Sequence, residues 1–136
     1  MTAADPLDSD LVTIASANSP SVTAEFLKAL LTHKGIHLFA HVNHAAAAAQ
    51  VGLTLRPTQV LVFGNPQAGT PLMQSQQTIG LDLPLRVLIW EDEAGKTWLT
   101  YRKVAALAAQ HHIIDRGETV KDLDAGLAAL VHAAAK

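Results

Sequence analysis

Two apolar runs joined by a short turn restrict the fold of this chain more than any other feature. Residues 85–90 and 97–101 are rich in Leu, Val, Ile, Trp and Thr, and Asp92, Glu93, Ala94 and Gly95 lie between them. A connection of this length with glycine at its end makes a β-hairpin. Some antiparallel pairing is therefore required, and a doubly wound parallel sheet is disfavoured.

The other elements are read around that hairpin. Leu11, Val12, Thr13, Ile14 and Ala15 form a β-branched run that predicts a first strand. Ser19 or Ser21 offers an N-cap, with Pro20 suited to the first helical position. Val22, Phe26, Leu27, Leu30 and Leu31 recur on one helical face, and Gly35 supplies the C-terminal stop. Residues 36–42 predict a strand with Ile36, Leu38, Ala40 and Val42 on one face and His37, Phe39, His41 and Asn43 on the other. Asn43 can cap a short helix over 45–49 that ends at Gly52. Residues 59–63 form an apolar run that predicts a central strand. The turn formers of residues 64–69 follow, and Thr70 before Pro71 reads as the N-cap of a helix to about Gln77. A helix is expected from Val104 to about His112. Thr119 with Asp122 resembles a capping box opening a last helix striped by Val120, Leu123, Leu127, Leu130 and Val131. The simplest arrangement is an α+β domain over 11–136, one sheet with helices mainly on one face. Residues 1–10 are expected to be a flexible start.

Composition narrows the function. The chain has 136 residues and suits one domain. With a net charge of -2 and no basic run, nucleic acid is not an expected partner. The absence of cysteine excludes disulfides, thiolate nucleophiles and iron–sulfur clusters. No signal peptide is read in residues 1–10, and no apolar stretch approaches the roughly 18 residues of a membrane span, so a cytoplasmic location is expected. Only 16% of residues are charged, below the usual value of about 25%, which hints at some surface covered by a second copy, a homodimer, although Ala-rich helices alone would also give this.

Phe63, Gly64, Asn65, Pro66, Gln67, Ala68, Gly69, Thr70, Pro71, Leu72 and Met73 form a long motif. With residues 81–88, 98–101, 43–46 and 55–58, it resembles the bacterial and archaeal "domain of unknown function 302" family over roughly residues 9–112. The resemblance implies a curved, antiparallel-rich sheet similar to half of a TATA-binding protein. It implies no assigned chemistry. Asn43 stands where the family pattern has aspartate.

Gly64, Asn65, Gly69 and Thr70 make the leading site candidate. A helix start offers bare N–H groups and partial positive charge, which suits an anionic or polar ligand. The bland alternative is a tight strand-to-helix turn. The corner matches neither a Walker loop nor a dinucleotide fingerprint. His41 and His44 are the second candidate, with His44 suited to acid/base work. His37 and His41 lie about 13 Å apart along a strand, too far for one metal, so no metal and no cofactor are expected. Asp82 and Arg86 could line the same ligand site; as ordinary surface charges they would matter little. His111 and His112 read as a helix end favoured by the dipole, Met73 as a core gap-filler. The leading expectation is ligand binding without catalysis. The alternatives are an enzyme using His44 with an oxyanion-stabilising 64–70 loop, and a structural or interaction module.

Overall fold

The structure, a computed structural model, describes residues 10–136. The expected flexible start lies outside them except for Asp10, whose carbonyl accepts the Lys103 N–H at 2.9 Å. The elements run β1 (Leu11–Ala15), α1 (Pro20–His33), β2 (His37–Asn43), α2 (His44–Gln50), β3 (Thr58–Gly64) and α3 (Pro66–Ser75). A 3₁₀ turn (Gln77–Leu81) then leads to β4 (Leu85–Glu91), β5 (Thr97–Arg102), α4 (Val104–Gln110) and α5 (Gly117–Ala134). The five strands form one sheet in the order β1-β5-β4-β3-β2. Every neighbouring pair is antiparallel, whereas the hairpin by itself required this only of β4 and β5.

Strand register assigns the two faces. Leu61 opposes Val87, Ile89 opposes Leu99, and Ile14 opposes Leu99 on its other side. These residues share a face and pack with Leu27 and Leu31 of α1 and Leu127, Leu130 and Val131 of α5 into one core. Helices thus cover one side of the sheet. The opposite side carries Leu11, Thr13, Val60, Val62, Leu88, Trp90, Trp98 and Thr100, and stays partly exposed. There Trp90 and Trp98 stack at 6.3 Å, and Trp90 Nε1 donates to Thr100 Oγ1 at 2.9 Å.

Local signals explain most boundaries. Ser19 caps α1 by accepting the Val22 N–H, Pro20 occupies the first turn, and Gly35 takes φ +69° just beyond Lys34. Asn43 caps α2 through the Ala46 N–H at 2.9 Å. The acidic hairpin tip is more than a solvated cluster. Asp92 Oδ1 accepts the Ala94 and Lys96 N–H groups, and its Oδ2 accepts Trp98 Nε1 at 2.8 Å. The Trp98 bond and the Lys96 and Ala94 N–H groups hold the Asp92 carboxyl below its ordinary value.

Four expectations need correction. The α1 stripe is rotated: Thr23, Ala24, Leu27 and Leu31 are buried, while Val22 and Phe26 remain 42% and 45% exposed. Thr23 can go inside because Ser16 Oγ lies 2.6 Å from its hydroxyl. In β2 the register shifts between Leu38 and Ala40, so Phe39 is bulged out. A bulge reverses alternation beyond it. Leu38 and His41 therefore share a face, and His37 and His41 do not. Helix α3 starts at Pro66 rather than after Thr70, because Asn65 accepts the Gln67 N–H before Thr70 can act. Helix α5 starts at Gly117, which places Thr119 inside the helix and removes the capping box.

Candidate functional site

The corner between β3 and α3 borders a hollow of about 200 Å³. Gly64, Asn65, Pro66, Ala68, Gly69 and Thr70 form one wall, and Met73 continues it one turn along α3. Leu83, Pro84 and Leu85 supply the second wall, with Phe39 and Leu123 closing the ends. Two glycines keep it open. A Cβ on Gly64 would meet Pro84 Cβ at 3.4 Å, and one on Gly69 would meet Leu83 Cδ1 at 3.6 Å. The β2 bulge is what presents Phe39 here instead of to the sheet ladder.

The hollow is apolar, and the corner's amides are not bare. Asn65 Oδ1 accepts the Gln67 N–H at 2.9 Å. The Asn65 carbonyl accepts those of Ala68 and Gly69 at 2.9 and 3.0 Å. Thr70 lies beyond the first turn, where N–H groups join the helical ladder. The anion cradle expected at this corner is thus already filled by the chain itself. What remains polar at the rim is the Thr70 hydroxyl and the Asn65 side-chain NH₂.

The other expected site residues sit elsewhere. His41 faces Gln59, with Nε2 2.5 Å from Oε1. His44, Asp82 and Arg86 border a second, broader hollow of about 510 Å³ on the open side of the sheet. The two hollows share only Leu85 among their lining residues. His44 and the 64–70 loop are therefore not brought together, and an acid/base group acting beside that loop has no geometric support. Among the described residues no group of three or more His, Asp or Glu could hold a metal ion.

Asp82 has a different partner from any foreseen. Its Oδ2 lies 2.6 Å from His111 Nε2, and His111 Nδ1 lies 3.0 Å from Thr78 Oγ1. A hydroxyl, an imidazole and a carboxylate in series have the connectivity of a nucleophile triad. The series borders a hollow only at Asp82, since neither Thr78 nor His111 lines one of the two. It clasps the end of α4 to the 3₁₀ turn. Nearby, Arg116 donates to the Pro71 carbonyl at 3.1 Å and to Asp115, which also binds Ser75. The Ser75 hydroxyl and then Arg116 hold the Asp115 carboxyl below its ordinary value.

Some lining residues carried a usable signal. Gly69 and Met73 are four apart, hence on one helical face. Phe39 carried none, since a bulge depends on the partner strand. Leu83 and Pro84 stood out only as part of the motif segment of residues 81–88.

Comparison with known proteins agrees with this architecture. A crystal structure of an uncharacterized conserved DUF302 protein from Bacillus stearothermophilus superimposes with a TM-score of 0.82, covering 93% of this chain and 98% of that one. At 20% identity it shows the shared fold alone. A protein named fluoride-specific ion channel FluC 1 from Brucella suis is 49% identical over 107 residues, which is 79% of this chain and 42% of that protein. A protein of the same name from Brucella abortus matches at 49%, with 40% of its length covered. The chain spans about two fifths of the length of the curated relatives it matches. Among the described residues no helix is long and apolar enough to cross a membrane. The family described as "Domain of unknown function DUF302" matches residues 12–133, taking in α5. This chain belongs to the DUF302 family.

Proposed function

We propose that this domain binds a small, mostly apolar ligand in the hollow between α3 and the start of β4, and does so without catalysis. The observation that carries the reading is an open apolar recess flanked by two glycines, with its neighbouring amides already satisfied. Apolar cavities of about 150 Å³ hold a benzene-sized guest. A recess of about 200 Å³ suits a single ring or short branched chain. Thr70 and Asn65 favour a ligand with one hydrogen-bonding end.

Thermal-shift titration with small phenols, short alcohols and fluoride tests the proposal. Phenols or alcohols should raise the melting temperature of the wild type. Gly69→Leu, which fills the recess, should abolish that rise while remaining folded by circular dichroism. Fluoride, a strongly hydrated anion, should give no shift that Gly69→Leu removes. A wild-type response to fluoride alone would transfer the reading to the chemistry named for the Brucella relatives.

A homodimer is a second reading, favoured by one edge of the molecule. Strand β2 lies at the sheet edge, and Phe39, Val42, Val51, Leu53 and Leu55 are all more than 40% exposed in or near it. Light scattering should give about twice the 14.4 kDa chain mass if this edge is covered by a second copy.

A further inference from the structure

The open side of the sheet carries an arrangement that the fold does not explain. Arg86 and Arg102 lie on adjacent strands, each two residues past the last paired positions, Leu88 and Thr100. They have the parity of that pair, so both face the open side, and both line the broader hollow. Like charges set opposite one another on a sheet are destabilising. A solvated sheet face usually relieves this with interspersed carboxylates.

Here that relief is missing among the described residues. Among the described residues no carboxylate oxygen lies within 4.0 Å of either guanidinium. The chain has two other arginines, and both are held: Arg56 by Glu93 and the Glu91 carbonyl, Arg116 by Asp115 and the Pro71 carbonyl. Asp82 borders the same hollow, but its Oδ2 is taken by His111. Leu11, Val60 and Leu88 supply apolar lining near the two cations, and His44, Thr100 and Tyr101 supply polar lining.

We propose that this hollow is a second binding site, for a ligand with an oxyanion head and a short apolar body. The head would bridge the two guanidinium groups, whose forked donors suit carboxylate or phosphate. The body would lie over Leu88 toward Val60. The site is separate from the recess beside α3, so the two readings can fail independently.

The test is NMR titration of the full chain with hexyl phosphate, hexanoate, inorganic phosphate and hexanol. Hexyl phosphate or hexanoate should shift the Leu11 and Leu88 methyl signals, and Arg86→Gln or Arg102→Gln should weaken binding at least tenfold. Both variants should melt close to the wild type, because both arginines are exposed and neither is in an ion pair among the described residues. Gly69→Leu should leave this binding unchanged. Unaltered binding in both arginine variants would overturn the site, and so would no methyl shift at millimolar ligand. Inorganic phosphate or hexanol binding as tightly as hexyl phosphate would overturn the ligand class.

Discussion

At Gly69 stability and the proposed binding pull in opposite directions. It sits in the first turn of α3, where glycine costs about 0.5–1 kcal/mol relative to alanine. A Cβ there would make ordinary contacts, 3.6 Å to Leu83 Cδ1 and 4.0 Å to Met73 Cε. Gly69→Ala should therefore raise the melting temperature by a few degrees and weaken binding of a recess-filling phenol, both measurable by calorimetry with and without ligand. Asp92 allows a pH prediction. Its carboxyl is held below the ordinary value of 3.8, chiefly by the Trp98 indole. A depressed carboxyl stabilises the fold above its unfolded-state value and loses that contribution as pH falls through the lower, folded value. Asp92→Asn should be less stable than the wild type at pH 6–7, and the gap should close below about pH 3.8 in acid titrations followed by tryptophan fluorescence. Sequence showed Asp92 only as one acid among three at a hairpin tip. Its role depends on Trp98 returning beside it, which is a consequence of pairing.

Helix ends show which signals a sequence can carry. Ser19 and Asn43 were legible as caps because each bonds an N–H three residues ahead. The 64–71 segment offers two competing starts, Asn65-Pro66 and Thr70-Pro71, and the earlier one prevails. Helix α4 starts at Val104 as expected, but its cap was not legible, since Lys103 provides no side-chain cap. Asp124 of α5 supplies it across the fold, accepting the Val104 N–H at 2.6 Å and the Ala105 N–H at 3.0 Å. No local pattern encodes a cap 20 residues away. Asp124→Ala should cost about 1–2 kcal/mol, as helix caps do, seen as a lower urea midpoint with an unchanged m-value.

At the scale of the molecule, the hairpin made the antiparallel class legible, but strand order was not. Nothing local places β1 beside β5, since that pairing joins Leu11 to Arg102. The same distance in sequence hid the partnership of Asp82 with His111, which ties the 3₁₀ turn to the end of α4. Asp82→Asn should destabilise the fold by about 1 kcal/mol, given that Asp82 is partly exposed. It should leave phenol binding intact in the same denaturant and titration assays. The glycine-rich corner walls a hollow, but the polar chemistry read from its sequence is not there: Asn65 consumes the amides an anion would need. The corner is thus an apolar recess and not an anion cradle. Methyl-resolved NMR under xenon pressure tests this most directly, because xenon enters dry apolar cavities and ignores charge. Saturable shifts are expected at Met73, Leu83 and Leu123, and they should vanish in Gly69→Leu. Saturable shifts confined to other methyls, or none at all, would contradict the apolar recess.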